Sequence, residues 1–254
     1  MTKLAPIMGA LFPEVKNAIK DIIYRNKLKR YVNKIVISSK KLDSLYGIPC
    51  LYIDNGIDLN SIPIKKERNK LDNNDIKLIA VSFIRDAVGY DRIIEGMNIY
   101  YKNDFKRKVI LNIVGDGELE LINKLKDKVL EYNLEEYVSF LGAKSGKDLD
   151  ILFELSDIAV GSLGDHRLGV KSKSPLKSRE YCARGIPFIS SINDPGFKGN
   201  EEFILNIEPS DKPVNIESIL DFYDELYSKN NISKEIREYA KEKFDWKALY
   251  KNFC

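Results

Sequence analysis

Apolar strand-like segments alternate with helix-like segments from residue 76 to residue 207, and this alternation constrains the fold more than any other feature. The runs IKLIAVSF and KVILNIV are nearly continuous in apolar residues, which is typical of strands buried on both faces of a parallel sheet. Predicted strands are residues 76–83, 108–114, 137–141, 158–160, 187–189 and 203–207, and predicted helices are residues 90–101, 146–155, 175–184, 216–228, 232–243 and 245–252, with one more after Gly117. This order predicts an α/β fold with a doubly wound, mostly parallel sheet and with the glycine-bearing loops at its carboxyl edge.

The part of the chain before this alternation is less regular. Residues 13–31 carry apolar side chains at helical spacing, namely Val15, Ala18, Ile19, Ile22 and Ile23. A face of this kind packs on a protein core more often than it lies on a membrane surface, so we favour packing. Short strands are predicted at residues 35–37 and 51–53, joined by a segment that contains glycine and proline, and residues 60–75 resemble a linker.

Composition and charge exclude several classes of protein. The 41 basic and 38 acidic residues give a net charge of +3, which is too balanced to indicate a nucleic-acid partner. A single histidine excludes most metal sites and Ser-His-Asp catalysis. The three cysteines (Cys50, Cys182 and Cys254) lack metal-ligand spacing, so reduced thiols in a cytosolic protein are expected. No apolar run is long enough to span a bilayer, and the sequence does not begin with a signal-peptide pattern.

The loop between the predicted strands 158–160 and 187–189 is rich in cations. It leads into the 175–184 helix, for which Ser174 is the predicted N-cap and Pro175 the first helical residue. Its basic residues are His166, Arg167, Lys171, Lys173 and Lys177. Because parallel sheets bind anions where such a loop meets a helix N-terminus, the pattern indicates a phosphorylated ligand. A solvated loop in a lysine-rich protein is the alternative interpretation, and composition leaves both open.

Two further loops follow predicted strands. The loop at residues 115–117 has the sequence Gly-Asp-Gly, as in dinucleotide-binding proteins, but that fingerprint needs glycine or alanine where Glu120 stands. A tight turn is therefore the favoured interpretation, and a Rossmann-like oxidoreductase is a disfavoured hypothesis. In the loop after residue 83, Arg85 is placed to pair with phosphate, because its guanidinium matches phosphate geometry.

Five segments, taken together and in this order, resemble a known family. They are IDNGIDLNSIP (53–63), KLIAVSFIRDAVGYDRIIEGM (77–97), LNIVGDGELEL (111–121), VSFLGA (138–143) and SPLKSREYCARGIPFIS (174–190). They resemble the carboxyl-terminal, donor-binding half of retaining GT-B glycosyltransferases, in the group 1 family that includes bacterial capsular and exopolysaccharide enzymes. The resemblance runs from about residue 25 to the end. It implies a Rossmann-like domain that binds a nucleotide-sugar as substrate, without a catalytic metal or other cofactor.

The resemblance also implies roles for individual residues. Glu180 would accept hydrogen bonds from the ribose hydroxyls, and the backbone at Ser174 and Leu176 would contact the diphosphate. Arg85 lies near the family's first phosphate-binding cation. The resemblance also places Gly142 beside the base and His166 in the loop nearest the donor sugar. The other candidate donor-binding residues are Gly89 in the first loop, Ser172, and Lys177, which is one of the cations at the helix start.

Two positions depart from the family pattern. The family usually has a glutamate eight positions before Glu180, where this chain has Ser172, and a lysine or histidine before the glycine of the first loop, where this chain has Val88. The catalytic residues are therefore left unassigned. A catalytically degenerate subunit that binds nucleotide-sugars and needs a partner chain is the alternative hypothesis.

The resemblance implies a domain organisation and a biological setting. Residues 1–53 would be the remnant of an acceptor-binding N-terminal domain, residues 54–231 the donor-binding domain, and residues 232–254 helices that cross back to the N-terminal domain. The implied function is sugar transfer to a polysaccharide or lipid-linked acceptor in capsule, exopolysaccharide or cell-envelope synthesis. The expected location is the cytoplasm or the inner face of the membrane. Further expected partners are a separately encoded acceptor domain or a second copy of the chain.

Overall fold

The computed structural model of the chain describes residues 20, 24–25, 27–37, 42–66 and 75–251. The apolar face predicted for residues 13–31 rests on Val15, Ile19, Ile22 and Ile23, which lie outside the described residues. The chain divides into two compact units, Met1–Asp54 and Asn55–Cys254.

The first unit contains a small three-stranded sheet. Its strands are β1 (Ile35–Ile37), β2 (Ser44–Leu45) and β3 (Ile48–Tyr52), in the order β1-β3-β2. β1 runs parallel to β3, while β2 and β3 form an antiparallel hairpin. The sequence predicted strands at residues 35–37 and 51–53 and no strand in the segment between them, where the structure has β2 and the start of β3. Tyr46 and Gly47 adopt φ of 54° and 69°, and two successive residues with positive φ close a two-residue hairpin turn.

The second unit is built on a six-stranded sheet in which every neighbouring pair is parallel. The strands are β4 (Ile76–Val81), β5 (Val109–Val114), β6 (Val138–Phe140), β7 (Ile158–Val160), β8 (Phe188–Ser190) and β9 (Ile204–Asn206). The helices are α1 (Tyr90–Lys102), α2 (Leu119–Glu131), α3 (Gly146–Glu154), α4 (Leu176–Arg184), α5 (Ile216–Tyr227), α6 (Ile232–Lys243) and α7 (Trp246–Tyr250). The predicted α/β fold with a doubly wound parallel sheet is confirmed, and the predicted ends of elements differ by a few residues.

The order of strands fixes where a ligand site can lie. The sheet runs β6-β5-β4-β7-β8-β9, so the chain builds outward in one direction from β4 and then in the other from β7. The central strand β4 is completely buried at Leu78, Ile79 and Ala80, because it has sheet neighbours on both edges and helices over its faces. Ligands of such sheets bind where the order reverses, outside the carboxyl ends of the two strands that meet there. In this sheet those strands are β4 and β7.

Two short 3₁₀ turns follow these strands. Asp86–Val88 comes after β4, and Asp165–Leu168 comes after β7. Among the described residues, no helix combines the length and the apolar character that crossing a membrane requires.

Candidate functional site

A cleft of about 620 Å³ opens at the carboxyl ends of β4 and β7, beside the first turn of α4. Its lining residues are Val81, Ser82, Phe83, Arg85, Val88, Ser162, Lys173, Pro175, Leu176 and Lys177. This is the place where the strand order reverses, and the volume lies within the range of small-molecule sites in proteins. We refer to it as the switch-point cleft.

Main-chain contacts hold the two loops of the cleft together. The N–H of Leu163 donates to the Val88 carbonyl at 3.0 Å, and the N–H of Gly164 donates to the Ala87 carbonyl at 3.2 Å. Gly89 has a φ of 65°, and a Cβ there would stand 2.6 Å from the nitrogen of Gly164. Only glycine fits at residue 89, so the loop after β4 rests directly on the loop after β7.

The start of α4 forms the third wall. The N-cap is Pro175, with φ of −72° and ψ of 134°, so the predicted cap at Ser174 was wrong by one residue. Because ψ of Pro175 is extended, the first helical residue is Leu176, which is 61% exposed. The carbonyl of Ser174 accepts a hydrogen bond from Asn55 Nδ2 at 2.7 Å, which fixes the approach to the helix. The first turn of a helix presents N–H groups without intrahelical partners, a favourable environment for an anion.

Two cations face the cleft without a hydrogen-bonding partner among the described residues. Arg85 is exposed on the wall formed by the loop after β4. The Nζ of Lys177 is buried and has no hydrogen-bond partner. The pKa of Lys177 is lowered to about 8, mainly by burial and also by the positive charges of Lys173 and Arg85, while the negative charge of Asp165 acts in the opposite direction.

The other cations of this region are paired within the protein. Lys173 Nζ lies 2.6 Å from Asp165 Oδ1, and the side chain of Asp165 is only 3% exposed. His166 Nε2 lies 3.1 Å from Asp211 Oδ1. Because these side chains are paired with carboxylates inside the protein, less positive charge remains for a ligand.

Arg167 is the centre of a larger ion-pair network. Its NH2 lies 2.7 Å from Asp91 Oδ2, its NH1 lies 3.0 Å from Asp86 Oδ1, and its Nε lies 2.7 Å from Asp211 Oδ1. Hydrogen bonding to Asp91 is the largest of the effects that raise the pKa of Arg167. The guanidinium therefore ties the 165–168 turn to the loop after β4 and to the start of α1.

Glu180 lies one turn along α4 and is absent from the cleft lining. Its Oε1 accepts from Arg184 Nε at 3.0 Å and lies 2.9 Å from Arg184 NH2. Arg184 NH1 also lies 2.8 Å from Asp150 Oδ1. In the described part of the chain both contacts of Glu180 use Oε1, so Oε2 is open to a ligand. The predicted ribose contact of Glu180 remains a prediction.

Three other predicted site residues lie apart from the cleft lining. Ser172 pairs through its backbone with Asn193 after β8. Gly142 follows β6, where its carbonyl accepts from the N–H of Gly115 at 2.9 Å. His166 lines a second cavity of about 480 Å³, together with Lys171 and the residues after β8 and β9. The structure thus brings together Arg85, Leu176 and Lys177, with Gly89 and Ser174 adjacent to them.

The glycines of the Gly-Asp-Gly loop serve packing. A Cβ on Gly115 would stand 1.8 Å from the Ser82 carbonyl oxygen, and one on Gly117 would stand 2.1 Å from the Ile84 carbonyl oxygen. Glu120 lies on the exposed side of α2, 2.7 Å from Lys124. The loop is therefore a tight turn that packs on the loop after β4, which agrees with the favoured interpretation of the sequence.

Sequence reasoning missed three residues of the cleft, Ser82, Phe83 and Ser162. Their signal was positional, because each one follows β4 or β7 within three residues of the strand end. Phe83 is 64% exposed at the wall of the cleft. Among the described residues, no group of three or more histidine, cysteine, aspartate or glutamate side chains has the arrangement of a metal site.

Comparison with known families gives a match over most of the chain. The model of the family described as "Glycosyl transferases group 1" matches residues 61–243. The mannosylfructose-phosphate synthase of Agrobacterium fabrum (strain C58 / ATCC 33970) is 24% identical over 125 residues, which are 48% of this chain and 26% of that protein. The chain thus spans about a quarter of this relative.

Solved structures share the fold at low sequence identity. A glycosyltransferase from Rickettsia africae ESF-5 has a TM-score of 0.65 at 17% identity, over 90% of this chain and 65% of that one. Anabaena Alr3699/HepE, solved in complex with UDP, has a TM-score of 0.69 at 16% identity, over 96% of this chain and 68% of that one. At these identities the similarity concerns the fold.

Proposed function

The chain belongs to the group 1 glycosyl transferases, and from this premise we propose that its switch-point cleft binds the diphosphate of a nucleotide-sugar whose sugar is transferred to an acceptor. The observation that carries the proposal is that Arg85 and the first turn of α4 line the same cleft. A guanidinium and a helix N-terminus are both suited to phosphate oxygens.

The same arrangement suits the chemistry of glycosyl transfer. When the bond between the anomeric carbon and the diphosphate breaks, negative charge develops on the leaving phosphate. Fixed cations and N–H dipoles stabilise such charge without reorganising during the reaction. Glu180, one turn deeper on α4, would accept from the ribose hydroxyls through Oε2 and so orient the nucleotide.

We extend the proposal to a polysaccharide or lipid-linked acceptor in capsule, exopolysaccharide or cell-envelope synthesis, in the cytoplasm or at the inner face of the membrane. The support is the likeness of the five sequence segments to bacterial enzymes of that kind. Structures of Alr3699/HepE are known in complex with UDP, with UDP and glucose, and with UDP-glucose, which makes UDP-sugars the first donors to test. The second candidate is a degenerate subunit that binds the donor only, and the observation in its favour is Ser172 in place of a carboxylate.

Calorimetry with UDP, GDP and ADP tests the binding site. We expect one nucleotide to bind the wild-type chain, and Glu180→Ala to weaken it by about 1–3 kcal/mol because ribose hydroxyls lose their acceptor. Glu120→Ala is the matched control, since Glu120 also pairs with a cation four residues later but lies on α2. Absence of binding by all three nucleotides contradicts the proposal, and equal affinity of wild type and Glu180→Ala contradicts the role of Glu180.

Isotope-detected transfer from a labelled nucleotide-sugar separates the two candidate functions. Transfer or donor hydrolysis by the chain supports the enzyme. Binding without turnover, also after addition of membrane extract as a source of acceptors, supports the degenerate subunit. Ser172→Glu sharpens this result, because a restored carboxylate is expected to increase turnover or to tighten binding of the nucleotide-sugar over the plain nucleotide.

A further inference from the structure

The five basic residues that the sequence places between residues 161 and 177 differ in what surrounds them. Lys173, His166 and Arg167 each lie within 3.1 Å of an aspartate oxygen. Lys171 is exposed and lines the second cavity, which shares no lining residue with the switch-point cleft. Lys177 alone of the five has a buried charged group that lines the cleft and has no hydrogen-bond partner among the described residues.

The charged groups around Lys177 offer it no ion pair. Lys173 and Arg85 repel it, and Asp165 attracts it at a distance. Asp165 Oδ1 is engaged by Lys173, and its buried Oδ2 has no hydrogen-bond partner among the described residues, yet neither oxygen forms an ion pair with Lys177. Glu180, one turn along the same helix, is engaged by Arg184. A buried ammonium without a partner is costly, because it has lost its hydration and gained no compensating charge. The partner that would compensate it must be an anion and must come from outside the described residues.

The loop after β4 lines the same cleft and supplies little positive charge to it. Val88 lines the same cleft and is only 5% exposed, so the loop after β4 contributes one cation, Arg85, and the apolar side chains of Phe83 and Val88. A diphosphate carries more negative charge than a single guanidinium neutralises. The geometry leaves the second cation to the first turn of α4.

We propose that Lys177 is the residue whose ammonium pairs with the diphosphate, and that it supplies from α4 the positive charge that Val88 cannot supply from the loop after β4. This inference rests on the proposed function, because it takes the nucleoside diphosphate as the ligand of the switch-point cleft.

Protonation of Lys177 is then linked to binding. In the free chain the pKa of the amine is lowered to about 8, with burial as the largest cause. An anionic ligand favours the charged form and raises that pKa, so binding above pH 8 requires the uptake of a proton. Titration of Lys177 therefore leaves the affinity for the nucleoside diphosphate unchanged below pH 8. Above pH 8 it lowers this affinity by up to about tenfold per pH unit.

The direct experiment compares variants of the full chain with the tightest binder among UDP, GDP and ADP. Lys177→Met keeps an unbranched side chain, one atom shorter, and removes the charge. We expect a loss of roughly 10- to 100-fold in affinity at pH 7, typical of a charge-assisted hydrogen bond. Lys171→Met is the matched control and should bind as the wild type does. The matching nucleoside without phosphates should bind wild type and Lys177→Met alike.

Two further measurements test whether a cation at residue 88 can replace Lys177, and whether binding depends on the protonation of Lys177. Val88→Lys in the Lys177→Met background should recover about threefold or more of the lost affinity, because both positions line one cleft. From pH 7 to pH 9, the ratio of wild-type to Lys177→Met affinity should fall, and this ratio removes the titration of the nucleotide itself.

The outcomes separate the two proposals. Wild-type binding with equal affinity in Lys177→Met overturns the role of Lys177 and leaves the proposed function standing. Absence of wild-type binding overturns the proposed function and this inference with it. An affinity ratio that does not change with pH overturns the proton linkage, even if Lys177→Met binds weakly.

Discussion

The 3₁₀ turn at Asp165–Leu168 and the first turn of α4 are both basic, yet they use their cations in different ways. In the 3₁₀ turn, Arg167 contacts three carboxylates and His166 contacts one of the same three. In the first turn of α4, the nitrogen of Lys177 is buried with no partner in the described part of the chain. The ion pairs of the 3₁₀ turn stabilise the loops around the cleft. The charge of Lys177 has no partner in the described part of the chain and can be compensated by a ligand. A count of cations in the sequence does not distinguish them; the positions of carboxylates do.

The largest effect on the free energy of unfolding is expected for Arg167, whose charge is paired with carboxylates inside the protein. Arg167→Met removes the partner of Asp86, Asp91 and Asp211 at once. Asp86 and Asp211 are well exposed and are screened by solvent, so most of the loss comes from Asp91, whose side chain is 26% exposed. We expect the free energy of unfolding to fall by about 2–3 kcal/mol, measured by urea denaturation. A loss within experimental error would mean that the network does not hold the loops together.

Lys177→Met is expected to raise the free energy of unfolding, whereas Arg167→Met lowers it. Because the pKa of Lys177 is lowered from 10.5 to about 8 in the folded chain, the charged amine destabilises the fold fully below pH 8, and the cost disappears as pH rises toward 10.5. The variant should therefore be more stable than wild type by about 1–2 kcal/mol at pH 7, and this gain should vanish near pH 10. Thermal denaturation from pH 6 to pH 10 measures it. A destabilised variant at pH 7 would show that Lys177 is satisfied in the folded chain.

For Arg85→Met we expect a loss of nucleotide affinity that is smaller than the loss for Lys177→Met. Arg85 is exposed, so its charge is hydrated before binding and screened by salt. We expect nucleotide affinity to fall by about 3- to 10-fold, with the larger loss at low ionic strength, and the free energy of unfolding to stay within about 0.5 kcal/mol of wild type. Calorimetry at two salt concentrations checks this result. A loss as large as that of Lys177→Met would remove the distinction between a buried and an exposed cation.

The smallest effect is expected for Lys171→Met. Lys171 is exposed and lines the second cavity. Both the free energy of unfolding and the nucleotide affinity should stay within about 0.5 kcal/mol of wild type. A clear loss of nucleotide affinity would extend the ligand site beyond the switch-point cleft into the second cavity.

Much of the fold could be predicted from the sequence, because its strands are almost wholly apolar. β4 and β5 have no polar face, and this composition distinguishes strands buried in a parallel sheet from half-exposed ones. The family resemblance is confirmed by the family match over residues 61–243. The hairpin of β2 and β3 was missed because Tyr46 adopts a positive φ, and a tyrosine gives no signal for that conformation.

The site was harder to predict, since its character depends on contacts that are distant in the sequence. Arg167 lies 76 residues from Asp91 and 81 from Asp86, so nothing local marks it as paired. Lys177 has the same side-chain chemistry as Lys171 and Lys173, and only burial and the position of Asp165 separate them. The sequence thus indicated a cationic loop, and the structure is needed to say which cation faces the cleft.

The backbone contact between Gly89 and Gly164 has a consequence for redesigning this cleft. Since main chain rests on main chain there, the spacing between the two loops does not depend on which side chains project from them. A positive charge can then be exchanged between loops as a paired substitution at residues 88 and 177, provided that a lysine at residue 88, a position that is only 5% exposed, extends its ammonium into the cleft. If the cleft binds a nucleoside diphosphate as proposed, its redesign should hold the total positive charge of the cleft constant and change only the loop that carries each cation.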